Sequence, residues 1–95
     1  MIAVSVRKDG ITVSGHANYA ETGKDIVCAG VTALTQTLIR ALEGLTKDEI
    51  EYEVSPGRAD IYHGNLSEEG KLLVDSFFIG VCSIADEFPE NVTIV

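Results

Sequence analysis

One histidine and one cysteine of this chain lie close together in the stretch GHANYAETGKDIVCAGV, residues 15–31. His16 and Cys28 are separated there by a polar loop that contains a glycine. A thiolate is a strong nucleophile, and an imidazole can take the thiol proton and return it to a leaving amine. The pair is therefore either a nucleophile with its base or a structural thiol near an unrelated histidine.

The residues that follow Asp25 repeat in the apolar pattern of a helix, at spacings of three and four. This pattern predicts a helix over about 27–43 that ends at Gly44. Cys28 falls in its first turn, about a quarter turn from the apolar stripe and thus at the border of the buried face. Free backbone N–H groups there, including that of Ala29, favour a thiolate and can hold an oxyanion. The stripe consists of Val27, Val31, Leu34, Leu38, Ala41, Leu42 and Leu45.

The segment before this helix predicts how His16 reaches Cys28. Alternating apolar residues predict strands at about 2–7 and 11–16, joined by an Asp-Gly turn, so that His16 ends the second strand. The loop over residues 17–25 then returns the chain to the helix start, which makes His16 and Cys28 neighbours.

Three further residues of this loop region are candidates for the site. Gly15 and Gly23 permit a close backbone approach or a positive φ, and the N–H of Gly15 is a second candidate oxyanion donor. Asp25 precedes the helix, where it can cap the first turn, orient His16, or do both.

The second half of the chain repeats the order hairpin then helix. Strands are predicted near 49–54 and 58–63 about a Ser-Pro-Gly turn, and a second helix begins at Ser67 and ends before Pro89. Leu73, Phe77, Val81, Ile84 and Phe88 are its predicted buried face, and NVTIV is a closing strand. The order ββαββαβ predicts an α+β fold, a two-layer sandwich with two helices on a five-strand mixed sheet, in one domain over residues 1–95.

The remaining histidine and cysteine are predicted to be structural. Cys82 lies late in the second helix, where the dipole disfavours a thiolate, so we expect a core thiol. His63 ends a strand and is expected at the surface. The two histidines and two cysteines, at positions 16, 28, 63 and 82, show none of the paired spacings of zinc sites. No metal and no cofactor are therefore expected.

The acidic composition limits the choice of partners. A formal net charge of −8 and scattered cationic residues argue against nucleic acid. The charge favours basic partners, or it serves solubility alone. No apolar run of membrane-spanning length is present, and the first residues alternate like a strand rather than a signal peptide. We therefore expect a cytoplasmic protein with free thiols and no membrane contact.

The second helix carries more apolar residues than one buried face requires. Leu72, Val74, Phe78 and Ile79 lie outside the predicted stripe. This surplus predicts a homodimer, or else cover by flanking loops.

The motif around Cys28 resembles that of the ribosomal-processing cysteine protease (Prp) family of bacteria. The family pattern is G-H-A followed by D-I-V-C-A-x-V-[ST], with eleven residues between histidine and cysteine. The resemblance continues to the end of the chain, through GKLLVDSFFIGVCSIADEFPENVTIV, and so covers nearly all of it. The matching residues are Gly15, His16, Ala17, Asp25, Ile26, Val27, Cys28, Ala29, Val31 and Thr32.

Members of this family are small homodimeric proteases with a Cys–His dyad. They remove the N-terminal extension of the large-subunit ribosomal protein twenty-seven, a step linked to ribosome assembly. The resemblance implies that Cys28 is the nucleophile, His16 the base and Asp25 a supporting residue.

This sequence departs from the family pattern at three positions near the motif. Asn18 stands where many members have glycine, Gly30 replaces an alanine, and Thr32 replaces a serine but keeps the hydroxyl beside the substrate. Gly30 is expected to loosen the first helical turn by up to about 1 kcal/mol.

Two other functions remain possible from the sequence. The first is a non-enzymatic dimeric module that binds a ribosomal protein or an assembly intermediate. The second is a thiol redox protein, which is disfavoured because no resolving cysteine lies near Cys28.

Overall fold

The secondary-structure elements follow the order ββαββαβ that the sequence predicts. The computed structural model describes all 95 residues. The elements are β1 (Ile2–Val6), β2 (Gly10–Ser14), α1 (Ile26–Leu45), β3 (Ile50–Ser55), β4 (Arg58–His63), α2 (Glu68–Glu87) and β5 (Val92–Ile94).

The five strands form one mixed sheet in the order β3-β4-β2-β1-β5. Neighbouring strands are antiparallel except β1 and β5, which are parallel. The register places Ile11 opposite Ile61 on β2 and β4, and neither side chain is exposed. Because side chains alternate along a strand, this pairing gives the sheet one apolar face. The predicted α+β fold, with two helices on a five-strand mixed sheet, is confirmed.

The core lies between the apolar face of the sheet and the two helices. Burying each large aliphatic side chain contributes roughly 1.5–3 kcal/mol, so this layer is the main source of stability. Its fully buried members are Val4, Ile11, Val27, Val31, Leu42, Ile61, Val81 and Val92. The other face of the sheet is polar, and there Asp60 accepts hydrogen bonds from Thr12 at 2.9 Å and from Arg58 at 2.8 Å.

The edge strand β3 is only partly covered by the helices. Tyr52 and Val54 pair with Ile61 and Ala59, so their side chains lie on the apolar face. They are nevertheless 45% and 59% exposed. Since β3 is the outermost strand, its apolar face borders an opening beside α1 rather than the core.

Two predicted boundaries are wrong, one at the end of β2 and one at the end of α1. β2 ends at Ser14 rather than at residue 16, because Gly15 has a φ of 97° and turns the chain out of the strand. His16 therefore lies in the loop. α1 continues through Gly44 to Leu45, where Thr46 caps it and donates its hydroxyl to the Leu42 carbonyl at 2.6 Å. Gly44 is thus a helical residue, not the residue that ends the helix.

The predicted buried face of α2 is confirmed at Phe77 and Val81, but the prediction is wrong for one residue outside it. Val74 was predicted to lie outside the stripe, but it is only 8% exposed. It lies three residues before Phe77 and seven before Val81, which places all three on one side of the helix. Leu72, Phe78 and Ile79 do point away from the core.

The first helix is long and apolar enough, by length and mean hydropathy, to cross a membrane. This finding is weak, because the core helix of a soluble protein has the same properties. Val31, Leu38 and Leu42 of α1 are buried in the core described above.

Candidate active site

The carboxylate of Asp25 joins the start of α1 to the loop before it. One oxygen, Oδ1, accepts the backbone N–H groups of Val27 at 3.0 Å and Cys28 at 2.9 Å. The other, Oδ2, accepts those of Tyr19 at 3.0 Å and Ala20 at 3.3 Å. The Cys28 N–H, helped by the other three, holds the pKa of Asp25 below its ordinary value.

Of the two roles left open for Asp25, the structure therefore places it as the helix cap. Both of its carboxylate oxygens are occupied by backbone donors, and His16 is not among them. Asp25 supports the site by fixing the geometry of the loop and of the helix start.

The predicted oxyanion donors are engaged elsewhere. The Ala29 N–H donates to the Asp25 carbonyl at 3.0 Å, and the Gly15 N–H donates to the Gly57 carbonyl at 2.8 Å. The N–H of Cys28 is taken by the Asp25 carboxylate. The prediction that Ala29 and Gly15 hold an oxyanion is thus wrong, because the Ala29 N–H closes the first turn of α1 and the Gly15 N–H is taken by the β3–β4 turn.

Cys28 lies in the first turn of α1 and is half-buried at the border of the core, as predicted. Its Sγ accepts the backbone N–H of Ala17 at 3.3 Å. This donor and the positive end of the helix dipole are both placed to stabilise negative charge that forms on the sulfur.

His16 is exposed and lies against the turn between β3 and β4. A Cβ built on Gly57 of that turn would lie 2.7 Å from His16 Nε2, so a side chain at residue 57 would displace the imidazole. Gly57 also has a φ of 75°, which favours glycine. Gly15, just before His16, leaves no room for a side chain because the Met1 carbonyl is adjacent.

Two hollows meet at His16 and Cys28. The first, the apolar cleft, has a volume of about 300 Å³ and lies between α1 and the β3–β4 turn. The second, the loop hollow, has a volume of about 750 Å³ and lies between α1 and the loop over residues 17–25. Four residues line both hollows and form the ridge between them: His16, Cys28, Thr32 and Gln36.

The two hollows are lined by different segments of the chain. The apolar cleft is lined by Ile2, Val13, Gly15, Val31, Thr35, Ile39, Val54, Ser55, Pro56, Gly57, Arg58 and Ala59 in addition to the four ridge residues. The loop hollow is lined by Asn18, Ala20, Thr22, Gly23, Asp25, Ala29 and Ala33 in addition to those four. The accessible lining of both is mostly apolar, so there is a partly apolar hollow on each side of the sulfur.

Backbone conformation explains one of the departures from the family pattern. Asn18 has a φ of 55°, in the left-handed region where glycine is favoured and asparagine is the best tolerated of the other residues. Asparagine can therefore stand where many family members have glycine without a change in the loop. Gly23 also has a positive φ, of 88°, as predicted.

The sequence did not identify two residues of the site. Gln36 follows Cys28 and Thr32 at successive helical spacings of four, and this periodicity was the available signal. Gly57 carried no comparable signal, because a glycine in a hairpin turn is common and its contact with His16 depends on the tertiary fold.

The second histidine and the second cysteine line neither hollow. The prediction that His63 is a surface residue is wrong, since it is 8% exposed. It shares the apolar face of β4 with Ala59 and Ile61, and its Nδ1 lies 2.9 Å from the Gly64 carbonyl oxygen. Cys82 is a free, half-buried thiol of α2, and since it is not among the residues that pack against the core, the prediction of a core thiol is wrong. No group of three or more His, Cys, Asp or Glu residues is placed to hold a metal ion.

Comparison with known proteins agrees with this geometry. The family model described as cysteine protease Prp matches residues 1–93. The chain belongs to the Prp family of cysteine proteases. The chain is therefore a cysteine protease, and the resemblance seen in the motif is confirmed.

Named relatives and a solved structure extend the match over the whole chain. The ribosomal processing cysteine protease Prp of Staphylococcus aureus is 29% identical, over 96% of this chain and 92% of that protein. The Prp of Bacillus subtilis is 24% identical, over 99% of this chain and 96% of that protein.

The crystal structure of the Staphylococcus aureus protease with a covalently linked product peptide superposes with a TM-score of 0.89. It is 25% identical to this chain and covers 98% of it, and the chain covers 94% of that protein. A member of this fold thus holds a peptide product in covalent linkage.

Proposed function

We propose that this protein is a cysteine endopeptidase with a Cys28–His16 dyad that removes the N-terminal extension of the large-subunit ribosomal protein twenty-seven. The observation that carries the proposal is the ridge, where His16 and Cys28 lie together between two hollows at a helix start. A peptide that crosses the ridge has its backbone over the sulfur and its side chains in both hollows.

The first half of the reaction forms an acyl-enzyme. The imidazole of His16 takes the proton of the Cys28 thiol, and the thiolate attacks the scissile carbonyl carbon. The tetrahedral adduct then collapses: the C–N bond breaks, and the protonated His16 gives its proton to the departing amine. The acyl part of the peptide remains on Cys28 as a thioester.

The second half regenerates the enzyme. Water gives one proton to His16 and attacks the thioester, and the C–S bond breaks to release the carboxylic acid and the Cys28 thiolate, which recovers its proton from His16. The acid then loses its proton to solvent. The N–H groups of Cys28 and Ala29 are bonded to Asp25, so they do not supply the oxyanion hole. The N–H of Ala17 donates to the sulfur instead, where it stabilises the thiolate that attacks in the first half and leaves in the second.

Two features support a ribosomal protein as the substrate. The relatives in Staphylococcus aureus and Bacillus subtilis are ribosomal processing proteases, and the match covers nearly the whole of each. The net charge of −8 attracts a basic chain such as a ribosomal protein.

The apolar lining of the first hollow suits an apolar side chain next to the scissile bond.

The proposal includes a homodimer in the cytoplasm. Leu72 and Ile79 of α2 are 70% and 67% exposed, and they lie seven residues apart on one side of the helix. A second copy of this face would cover them. The free thiols of Cys28 and Cys82 fit a reducing compartment, where ribosomes assemble.

Cleavage of a synthetic peptide tests the proposed function. The peptide carries the N-terminal extension of the ribosomal protein and the residues that follow it, and mass spectrometry identifies the products. We expect one cut by the wild-type chain and by Cys82→Ala, and none by Cys28→Ala or His16→Ala. A cut by Cys28→Ala at the wild-type rate would exclude the mechanism.

A further inference from the structure

The side chain of Asn91, in the turn between α2 and β5, contacts the loop that precedes α1. Its Nδ2 donates to the Ala17 carbonyl at 2.9 Å. The backbone of Asn91 is itself held on both sides, since its N–H donates to the Phe88 carbonyl at 2.9 Å and its carbonyl accepts the Ile2 N–H at 2.8 Å. Asn91 is therefore a fixed point to which Ala17 is tied.

Ala17 connects this fixed point to the sulfur. The residue is 1% exposed, and its N–H is the donor that lies 3.3 Å from Cys28 Sγ. The Ala17 N–H and carbonyl belong to the two planar peptide units on either side of its Cα. Asn91 holds the carbonyl and the core holds the side chain, so rotation about the Ala17 backbone bonds is restricted and the direction of the N–H is set. The ring of Tyr19 packs edge-on against Phe88 at 5.3 Å between centroids, which ties the same loop to the end of α2 a second time.

We propose that Asn91 is a positioning residue for the nucleophile, which it serves by aiming the Ala17 N–H at Cys28 Sγ and so favouring the thiolate. A hydrogen bond to an anion is roughly twice as strong as one between neutral groups, so this donor stabilises the thiolate more than the thiol. The inference deepens the proposed function, since it lets a residue outside both hollows control the reactivity of the sulfur.

The pH dependence of Cys28 alkylation tests this role without any substrate. Iodoacetamide is added to the wild-type chain, to Asn91→Ala and to Asn65→Ala, and peptide mapping by mass spectrometry gives the rate at Cys28. Asn65 is exposed in the loop between β4 and α2 and serves as the matched control.

We expect Asn91→Ala to move the midpoint of the rate to higher pH and to slow alkylation about tenfold below that midpoint. Asn65→Ala is expected to keep the wild-type profile. A folded Asn91→Ala chain with a lower Tm and an unchanged midpoint would show that Asn91 has a structural role only, and would overturn the proposal.

A measurement on the native sequence guards against a variant that does not fold. The amide proton of Ala17 is followed by NMR while the pH is raised through the titration of Cys28, with Cys28→Ala as the control. We expect its chemical shift to follow the thiol in the wild-type chain only. An Ala17 amide that is insensitive to this titration would overturn the proposal, whereas a wild-type chain that alkylates as expected but cleaves no peptide would overturn the proposed function alone.

Discussion

The two helices have the same length of 20 residues and begin with the same kind of cap, yet their cysteines lie at opposite ends. Asp25 caps α1 and Ser67 caps α2, each by accepting backbone N–H groups of the first turn. Cys28 is the third residue of α1, whereas Cys82 lies near the end of α2. The positive end of the dipole thus acts on Cys28, and the negative end acts on Cys82.

The surroundings of the two helix starts differ as well. The first turn of α2 contains Glu68 and Glu69, while that of α1 contains no acidic residue. Acidic side chains at a helix start stabilise the helix but repel a second anion. Both helix starts are nevertheless capped, and at α1 the Asp25 carboxylate takes the Cys28 N–H, so the feature that sets Cys28 apart is the Ala17 N–H that donates to its sulfur.

One histidine precedes each helix, His16 before α1 and His63 before α2. Substitution of the glycine beside each histidine tests whether only His16 serves the reaction. Gly57→Ala places a methyl group against His16, and we expect kcat/KM to fall by about a hundredfold because a displacement of about 1 Å in a catalytic group has that effect. Gly64→Ala, next to the buried His63, meets no atom within 4 Å and is expected to cleave normally.

Steady-state kinetics on the ribosomal peptide, with thermal melts of both variants, provides the check. The positive φ of Gly57 is expected to lower its variant's Tm as well, so activity is compared well below both transitions. Equal kcat/KM values for the two variants would contradict the claim that His16 takes part in catalysis and His63 does not.

The two cysteines should differ in reactivity by about tenfold or more toward iodoacetamide at about pH 6. The reason is the contact of Cys28 Sγ with the Ala17 N–H at the helix start, which Cys82 lacks. Peptide mapping of the folded chain measures both rates, and the urea-unfolded chain is the control in which they converge. Equal rates in the folded chain would contradict the assigned difference between the helix ends.

Removal of each cap separates stability from reactivity. Ser67→Ala is expected to cost about 1 kcal/mol of unfolding free energy, because the Gly70 N–H loses the hydroxyl that accepts it at 3.0 Å. Asp25→Ala also lowers the Tm, and in addition releases the loop N–H groups of Tyr19 and Ala20. Only Asp25→Ala should change the alkylation rate of Cys28. An effect of Ser67→Ala on that rate would remove the contrast.

Acid should weaken the α1 cap directly, because its acceptor is a carboxylate, whereas the acceptor of the α2 cap is the Ser67 hydroxyl. The backbone donors, first that of Cys28, lower the pKa of Asp25 in the folded state below its ordinary value of 3.8. Its contribution to stability is therefore complete above that value and is lost as the pH falls through the lower folded pKa.

Thermal melts of the wild-type chain and Asp25→Asn across this range give the check. The difference in Tm between them should close below pH 3.8, as the wild-type carboxyl takes a proton in both states. A difference that persists in strong acid would mean that the charge of Asp25 is not what holds the cap.

Local sequence patterns predicted most of the fold and the pair at the centre of the candidate site, His16 and Cys28. Strand alternation, helical spacing and turn residues predicted the element order, and the position of Cys28 relative to the helix start placed it at the core border. The Asp25 cap was predictable for the same reason, since it depends only on residues within the next turn.

Contacts between distant segments were not predictable in this way. Gly57 meets His16 through the fold, and Asn91 meets Ala17 across 74 positions of the chain. The bond from the Gly15 N–H to the Gly57 carbonyl, which removes a predicted oxyanion donor, is a contact of the same kind. These contacts follow from tertiary packing, which periodicity alone does not determine. The burial of His63, by contrast, agrees with its alternation with Ala59 and Ile61 along β4.

The most direct test of the central role of Cys28 is to capture the acyl-enzyme. The wild-type chain is mixed with the ribosomal peptide and quenched in acid within the first turnover, and peptide mapping locates any added mass. The account predicts a thioester of the N-terminal product on Cys28 that disappears on longer incubation. Complete cleavage with no acyl group on Cys28 at any time, or an acyl group on Cys82, would contradict it.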